Sequence, residues 1–277
     1  MTPDEYCQQR AAASGSSFYY SFLFLPPERR RAITALYAFC REVDDAVDEA
    51  SEPQRAAVKL AWWRAEVANL FAGSPQHPVT KALLPFIEKY RISQENLGEI
   101  IDGMEMDLTQ TRYLDWPGLE RYCYRVAGVV GVLAVGIFGY RDARTLEYAK
   151  ALGTAFQLTN IIRDVGEDAR KNRIYLPMED LKAHDVPAAD ILQSRQTDAF
   201  GRLMRFEAER AKQHYAQAMQ ALPAADRRAQ RPGLIMAAIY RALLDEIERD
   251  GFRVLTQRTS LTPLRKLFIA WKTWLAA

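Results

Sequence analysis

The chain is predicted to be all-α, from helical apolar periodicity, regular punctuation by helix breakers, and the lack of any comparable β-alternation. Ile33, Leu36, Tyr37 and Cys40 recur at i, i+3, i+4 and i+7, and Leu234, Met236, Ala237, Tyr240, Leu243, Leu244 and Ile247 form a second such stripe. With 277 residues and 49% hydrophobic content the chain can bury a large core. One domain over residues 1–277, of roughly eight to ten helices, is expected, because no connection is long enough to be an interdomain linker.

Along the chain, Leu25-Pro26-Pro27, Gly73 to Pro78, Asp115-Trp116-Pro117-Gly118 and Gln230-Arg231-Pro232-Gly233 mark short connections between helices. The 14-residue run Val126 to Gly139 is apolar all round, so its helix should be central. It is too short for an ordinary membrane span, which needs about 20 residues. Gly128, Gly131 and Gly136 in its interior each cost about 1 kcal/mol against alanine. Either close helix packing or a groove for a long apolar ligand would compensate, and the acidic clusters described next favour the groove. At the C-terminus, Leu264 to Leu275 mixes basic and aromatic residues and suits either an interfacial helix touching a membrane surface or a last core helix.

Charge and cysteine content narrow the function classes. The net charge of +2, from 37 basic and 35 acidic residues, offers no overall attraction to nucleic acid. Cys7, Cys40 and Cys123 lack C-x-x-C spacing and fit reduced thiols. The polar start Met1 to Glu5 has no signal-peptide character, so a cytoplasmic location is expected. His77, His184 and His214 show no metal spacing and are expected at the surface.

Two acidic clusters carry the chemistry. Asp44 and Asp48, with Asp45 between them, and Asp164 and Asp168 are each spaced four apart, which places both carboxylates of a pair on one helix face. Both follow apolar residues, and a buried run of acids must be paired, protonated or metal-bound. Asn160 adds a neutral oxygen at the same spacing, with Gln157 near it. Arg41, Arg163, Arg170, Lys171 and Arg173 could take diphosphate oxygens. Two such faces opposed across a bundle would suit Mg²⁺ carrying a diphosphate, although Arg41–Asp45 pairing on a solvated helix is the plainer alternative.

Ser16-Ser17-Phe18-Tyr19-Tyr20, Leu36 to Arg41 leading into Asp44 to Asp48, Tyr122 to Gly128, Gln157 to Asp168, and Arg173 to Pro177 together resemble the squalene and phytoene synthase family, in the family's order. The resemblance implies an isoprenoid-synthase helical bundle with a central prenyl pocket and head-to-head (1'-1) condensation of two prenyl diphosphates. It further implies that Asp44, Asp48, Asn160, Asp164 and Asp168 bind Mg²⁺ and that Arg41, Arg163 and Tyr240 hold diphosphate. By the same resemblance Tyr122 lies beside the reacting centre, Phe18 stands at the cavity mouth, and the glycine-rich helix lines the pocket. On spacing alone, Tyr122, Tyr240 and Phe18 could equally be core residues.

Within the family the chain resembles the bacterial hopanoid-pathway branch, which makes presqualene diphosphate from two farnesyl diphosphates. The match lies in Met1 to Gln9 and Ser14 to Pro27. That branch implies no use of NADPH and transfer of the product to a downstream reductase. The alternatives are phytoene or dehydrosqualene synthase, which share these motifs, and a non-catalytic assembly factor, which should have lost the aspartates kept here.

Overall fold

Breakers and caps start the helices where the sequence places them. The computed structural model describes residues 1–13, 18–22, 24–48 and 52–276, and all of these side chains except Tyr19 and Tyr20; Ser14 to Ser17, Leu23 and Glu49 of the motifs above lie outside the described residues. In chain order the helices are α1 (Pro3–Ala13), α2 (Phe18–Phe22), α3 (Pro27–Asp48), α4 (Pro53–Phe71), α5 (Pro78–Leu83), α6 (Gln94–Thr109), α7 (Trp116–Cys123) and α8 (Val129–Phe138). They continue as α9 (Arg144–Arg170), α10 (Met178–Ala183), α11 (Ala188–Leu192), α12 (Asp198–Ala221), α13 (Arg231–Arg249) and α14 (Pro263–Ala276). The expected eight to ten correspond to the longer helices; α2, α5, α10 and α11 are added by six residues or fewer each. No strand occurs among the described residues, only one isolated bridge between Arg112 and Ile174.

Each breaker cluster sits at a helix start. Pro27 opens α3, Pro78 opens α5 behind a His77 cap, the Asp115 carboxylate accepts from the Gly118 N–H to cap α7, and Arg231 with Pro232 opens α13. Gly139, at φ +86°, ends α8 in a conformation that L side chains rarely adopt.

The apolar side chains segregate into two cores. One gathers α3, α4, α6 and part of α8 around Leu36, Phe39, Leu60 and Ile101; the other gathers α9, α12 and α13 around Tyr148, Leu203, Tyr215 and Ile239. Phe18 and Val126 pack against both. The seam between them is where the cavity lies.

The Val126–Gly139 run is part of a longer helical stretch than its sequence indicates. Trp116–Phe138 is helical throughout, 23 residues long and apolar enough by length and composition to cross a bilayer, but it packs between α6 and α9. A π turn over Tyr124–Gly128 joins α7 to α8, and such turns recur at functional sites.

The glycine-rich helix lines the cavity described below, with Gly131 among its walls, and its glycines also permit close helix packing. A Cβ on Gly131 would stand 2.6 Å from the Ala149 carbonyl oxygen, and one on Gly153 would stand 2.5 Å from that of Ala127. These glycines let the backbone of α9 touch α8 and the turn before it, and both also line the cavity. The histidines expected at the surface are instead half-buried. His77 packs among Tyr6, Trp62 and Trp63, His184 against Phe206, and His214 against Trp116. Cys7, Cys40 and Cys123 are free thiols, as expected.

Because a carbonyl cannot move aside as a flexible side chain can, Gly153→Ala should destabilise the fold by about 1–3 kcal/mol. A lowered urea midpoint with an unchanged slope would report it. Wild-type stability in this variant would show that α8 and α9 can separate without loss.

Candidate active site

The site begins at the C-terminal ends of α3 and α9. On α3, Asp45 turns back into structure: it accepts from Arg41 at 2.7 Å and also pairs with Arg10 of α1, whose Nε reaches Glu42 at 2.7 Å. Asp44 and Asp48, one turn apart, are left on the inner side. Asp44 accepts from Arg41 at 2.7 Å, and Asp48 is approached by Lys171 at 3.4 Å and Arg173 at 3.6 Å. Lys171 and Arg173 follow α9, so these contacts bring the two predicted clusters face to face.

On α9, Asp164 is held by Arg163 at 2.7 Å and by Arg258 at 2.8 Å. Burial pushes its carboxyl up, but those guanidinium groups outweigh burial and hold it below the ordinary carboxylate range. Asp168 has the opposite balance. Burial, reinforced by the nearby Asp164 charge, lifts it to about 7 against the partial relief of Lys171 and Arg173. Burial likewise lifts Asp44 to about 6, with Asp48, Asp45 and Asp107 adding repulsion that Arg41 only partly offsets.

Asp107, near the end of α6, is the residue that sequence reasoning missed. It accepts from the Tyr122 hydroxyl at 3.0 Å and from the Tyr175 hydroxyl at 2.8 Å, while Arg173 donates to its backbone carbonyl at 3.3 Å. Burial lifts its carboxyl to about 6, and the charge on Asp48 adds to that rise. Its position is fixed by a short strap. The Ile174 N–H donates to the Thr111 carbonyl at 3.0 Å and that of Met178 to the Tyr113 carbonyl at 2.8 Å, pinning Arg173 and Tyr175 against the end of α6. A lone acid in a helix gives no pairwise signal; the available clue was its place in the apolar stretch Met104-Glu105-Met106-Asp107-Leu108.

Of the predicted residues, Tyr122 is buried beside Asp107 and stacked on Tyr175 at 5.2 Å. It does not line the apolar cavity. Burial and the Asp107 charge raise its phenol well above the ordinary value, so it stays protonated. Phe18, Gln157, Asn160 and Tyr240 do line that cavity, whose empty space, together with the open solvent at its mouth, is about 890 Å³. Its walls come from both cores: Phe22, Leu36 and Tyr37 on one side, Leu152, Phe156 and Met236 on the other, with Val130 and Ala134 of α8 between. Gln157 and Asn160 lie on the same helix as Asp164 and Asp168, so one end of this apolar space meets the acidic cluster.

The donor set fits a divalent cation. The Asn160 Oδ1 is buried without a hydrogen-bond partner, and three carboxyls are raised by burial, with neighbouring carboxylates adding to the rise. Among the described residues no three acidic or cysteine or histidine groups converge tightly enough to clasp an ion alone. Such an arrangement suits Mg²⁺, which commonly takes one or two carboxylates and completes its shell with water and substrate phosphate.

The raised carboxyl of Asp168 makes a stability prediction for the metal-free protein. An acid whose pKa is higher folded than unfolded contributes stability at low pH, and that contribution is lost as the pH rises through its folded value. Asp168→Asn should therefore raise the melting temperature more near pH 8 than near pH 5, because the loss runs from the ordinary value of 3.8 to the folded value of about 7. Equal shifts at both pH values would show that Asp168 is not strained by charge.

The comparisons agree with this geometry. The squalene/phytoene synthase family model matches residues 11–265. The chain is 35% identical to the 15-cis-phytoene synthase of Synechocystis over 99% of its length and 85% of that protein's, and 36% identical to the chloroplastic phytoene synthase 3 of Zea mays over 98% and 64%. A dehydrosqualene synthase crystal structure superposes with TM-score 0.90 at 26% identity, covering 99% of this chain and 96% of that one. The squalene synthase HpnC of Alicyclobacillus acidocaldarius superposes with TM-score 0.80 at 29% identity, covering 90% and 94%. An acidic cluster opening onto an apolar cavity in an all-α bundle, and a match over nearly the whole chain, lead to one assignment: the chain belongs to the squalene/phytoene synthase family, whose chemistry is head-to-head prenyl condensation.

Proposed function

We propose that the chain, acting as one unit over residues 1–277, condenses two farnesyl diphosphates to presqualene diphosphate and pyrophosphate in an Mg²⁺-dependent reaction. The observation that carries this reading is the continuity, through Gln157 and Asn160, of an apolar cavity with a cluster of under-neutralised carboxylates. A prenyl diphosphate has the same two-part character. Asp44, Asp48, Asn160, Asp164 and Asp168 would hold the metal, and Asp107 would face them from α6. Bound Mg²⁺ would supply charge that stabilises diphosphate as a leaving group.

The other residues follow from their surroundings. Arg41 and Arg163, now paired with acids of their own helices, are placed to exchange those carboxylates for diphosphate oxygens once metal neutralises the acids. Tyr240 is buried against Phe156, with ring centroids 4.8 Å apart, and presents its hydroxyl near Asn160 and Arg163. Tyr122, protonated and bound to Asp107, serves as a hydrogen-bond donor that orients that carboxylate; it is a poor base for the closing proton loss. Phe18, 5.5 Å from the Tyr37 ring, offers an aromatic face to a developing carbocation in the cavity. A product with a long hydrocarbon tail and one remaining diphosphate favours delivery at a membrane and use by a downstream reductase.

A second reading, condensation of two geranylgeranyl diphosphates to phytoene, is favoured by the names of the 35–36% identical relatives. Incubation with each diphosphate, with and without NADPH, and mass analysis of the products separates the two. Presqualene diphosphate from farnesyl diphosphate, unchanged by NADPH, is expected. Efficient phytoene formation would replace this reading with the second, and squalene formed with NADPH would defeat the claim that the reaction stops at the cyclopropyl product.

Asp48→Asn and Asp164→Asn should each lower turnover by orders of magnitude with helical content retained, and EDTA should abolish activity that Mg²⁺ restores. Near-normal turnover in either variant would sink the metal-cage reading. Ala134→Phe, which fills the cavity, should reduce turnover far more than melting temperature. Parallel loss of both would assign Ala134 to packing alone.

A further inference from the structure

The last helix leaves its apolar face uncovered. α14 packs on α13 and α2 through Ala270, while Leu264, Leu267, Phe268, Trp271 and Leu275, spaced at i, i+3, i+4, i+7 and i+11, are exposed. Leu264 is 80% exposed and Phe268 60%, well beyond a scatter of single surface apolar residues. Phe24, also exposed, stacks on Trp274 at 5.4 Å and carries the apolar surface past the end of the helix.

The segment that carries this face has charge of one sign. Residues 251–277 contain Arg253, Arg258, Arg265, Lys266 and Lys272 and no acidic residue, five positive charges in a chain whose net charge is +2. Arg253, Arg258 and Arg265 also pair with acids of neighbouring segments. Lys272 is exposed on α14, and exposed Arg227 and Arg228 precede Arg231, which lies 5.4 Å from the Trp274 ring centre.

A second cavity opens in the same place. Phe24, Arg228, Arg231 and Trp274 line it, and Ser21, Phe138 and Pro232 are walls it shares with the apolar cavity. The apolar cavity thus shares walls with an opening at the edge of the exposed apolar face.

We propose that α14 lies flat on an anionic lipid bilayer, burying its exposed stripe and setting the second cavity against the lipid. The inference rests on the proposed chemistry only for the reason a bilayer would be useful, namely exchange of an apolar chain. At 14 residues, or about 21 Å, the helix is shorter than the roughly 30 Å hydrocarbon core and is suited to the interface. Its basic rim complements anionic headgroups.

Sedimentation with vesicles of phosphatidylcholine alone, or with added phosphatidylglycerol, tests the proposal. The protein should bind the anionic vesicles, bind them at least tenfold more weakly at high salt, and show a blue-shifted tryptophan emission on binding. Leu267→Glu with Phe268→Glu should lower vesicle binding at least tenfold while turnover of farnesyl diphosphate in detergent buffer stays near wild type. Absence of binding to anionic vesicles, or equal binding by the double variant, would overturn it. So would a wild-type dimer that the double variant converts to monomer without any lipid effect, because the face would then belong to a second copy. Vesicle binding without any prenyl-transfer turnover would sink the functional reading and leave the docking intact.

Discussion

Burial of several carboxylates within one site is the constraint around which the rest of this molecule is arranged. Asp44, Asp107 and Asp168 come from three helices, and burial, the largest contribution, together with the charge of neighbouring aspartates raises the proton affinity of each. A fold optimised only for stability would not gather them. Arg41, Arg163, Lys171, Arg173 and Arg258 offset part of the charge, and each lies where it could meet an anion instead.

Holding such groups together requires stiff supports, and the chain supplies them by close backbone contact. The approach of α8 to α9 through Gly131 and Gly153 fixes the wall of the cavity and the helix that bears Asp164 and Asp168 as one unit. Gly166 performs the same task at the other end, where a Cβ would meet the Leu255 carbonyl oxygen at 2.4 Å. That contact sets the segment carrying Arg258 against Asp164. Packing and electrostatics are therefore coupled: the glycines that cost helix propensity locally permit the geometry in which the charges converge.

The cavity belongs to the same arrangement. It lies on the seam of two cores, so it needs no void within either. Its polar end is made by Gln157 and Asn160 and its sides, mostly aliphatic and aromatic, carry no charged residue. A substrate with a charged head and a hydrocarbon tail is selected by that division more than by any single hydrogen bond.

Local chemistry determined the helices, their starts at prolines and capping side chains, and the pairing of aspartates on one face, because each depends on residues within a turn or two. It also carried the family resemblance and the amphipathic character of α14. Tertiary structure alone decided that Asp45 serves α1 while Asp44 and Asp48 face inward, and that Tyr122 meets Asp107 instead of the cavity. It likewise decided that the glycines of α8 serve backbone contact. Those outcomes depend on which helix lies opposite, and a lone acid such as Asp107 acquires meaning only when Tyr122, Tyr175 and Arg173 arrive from elsewhere in the chain to surround it.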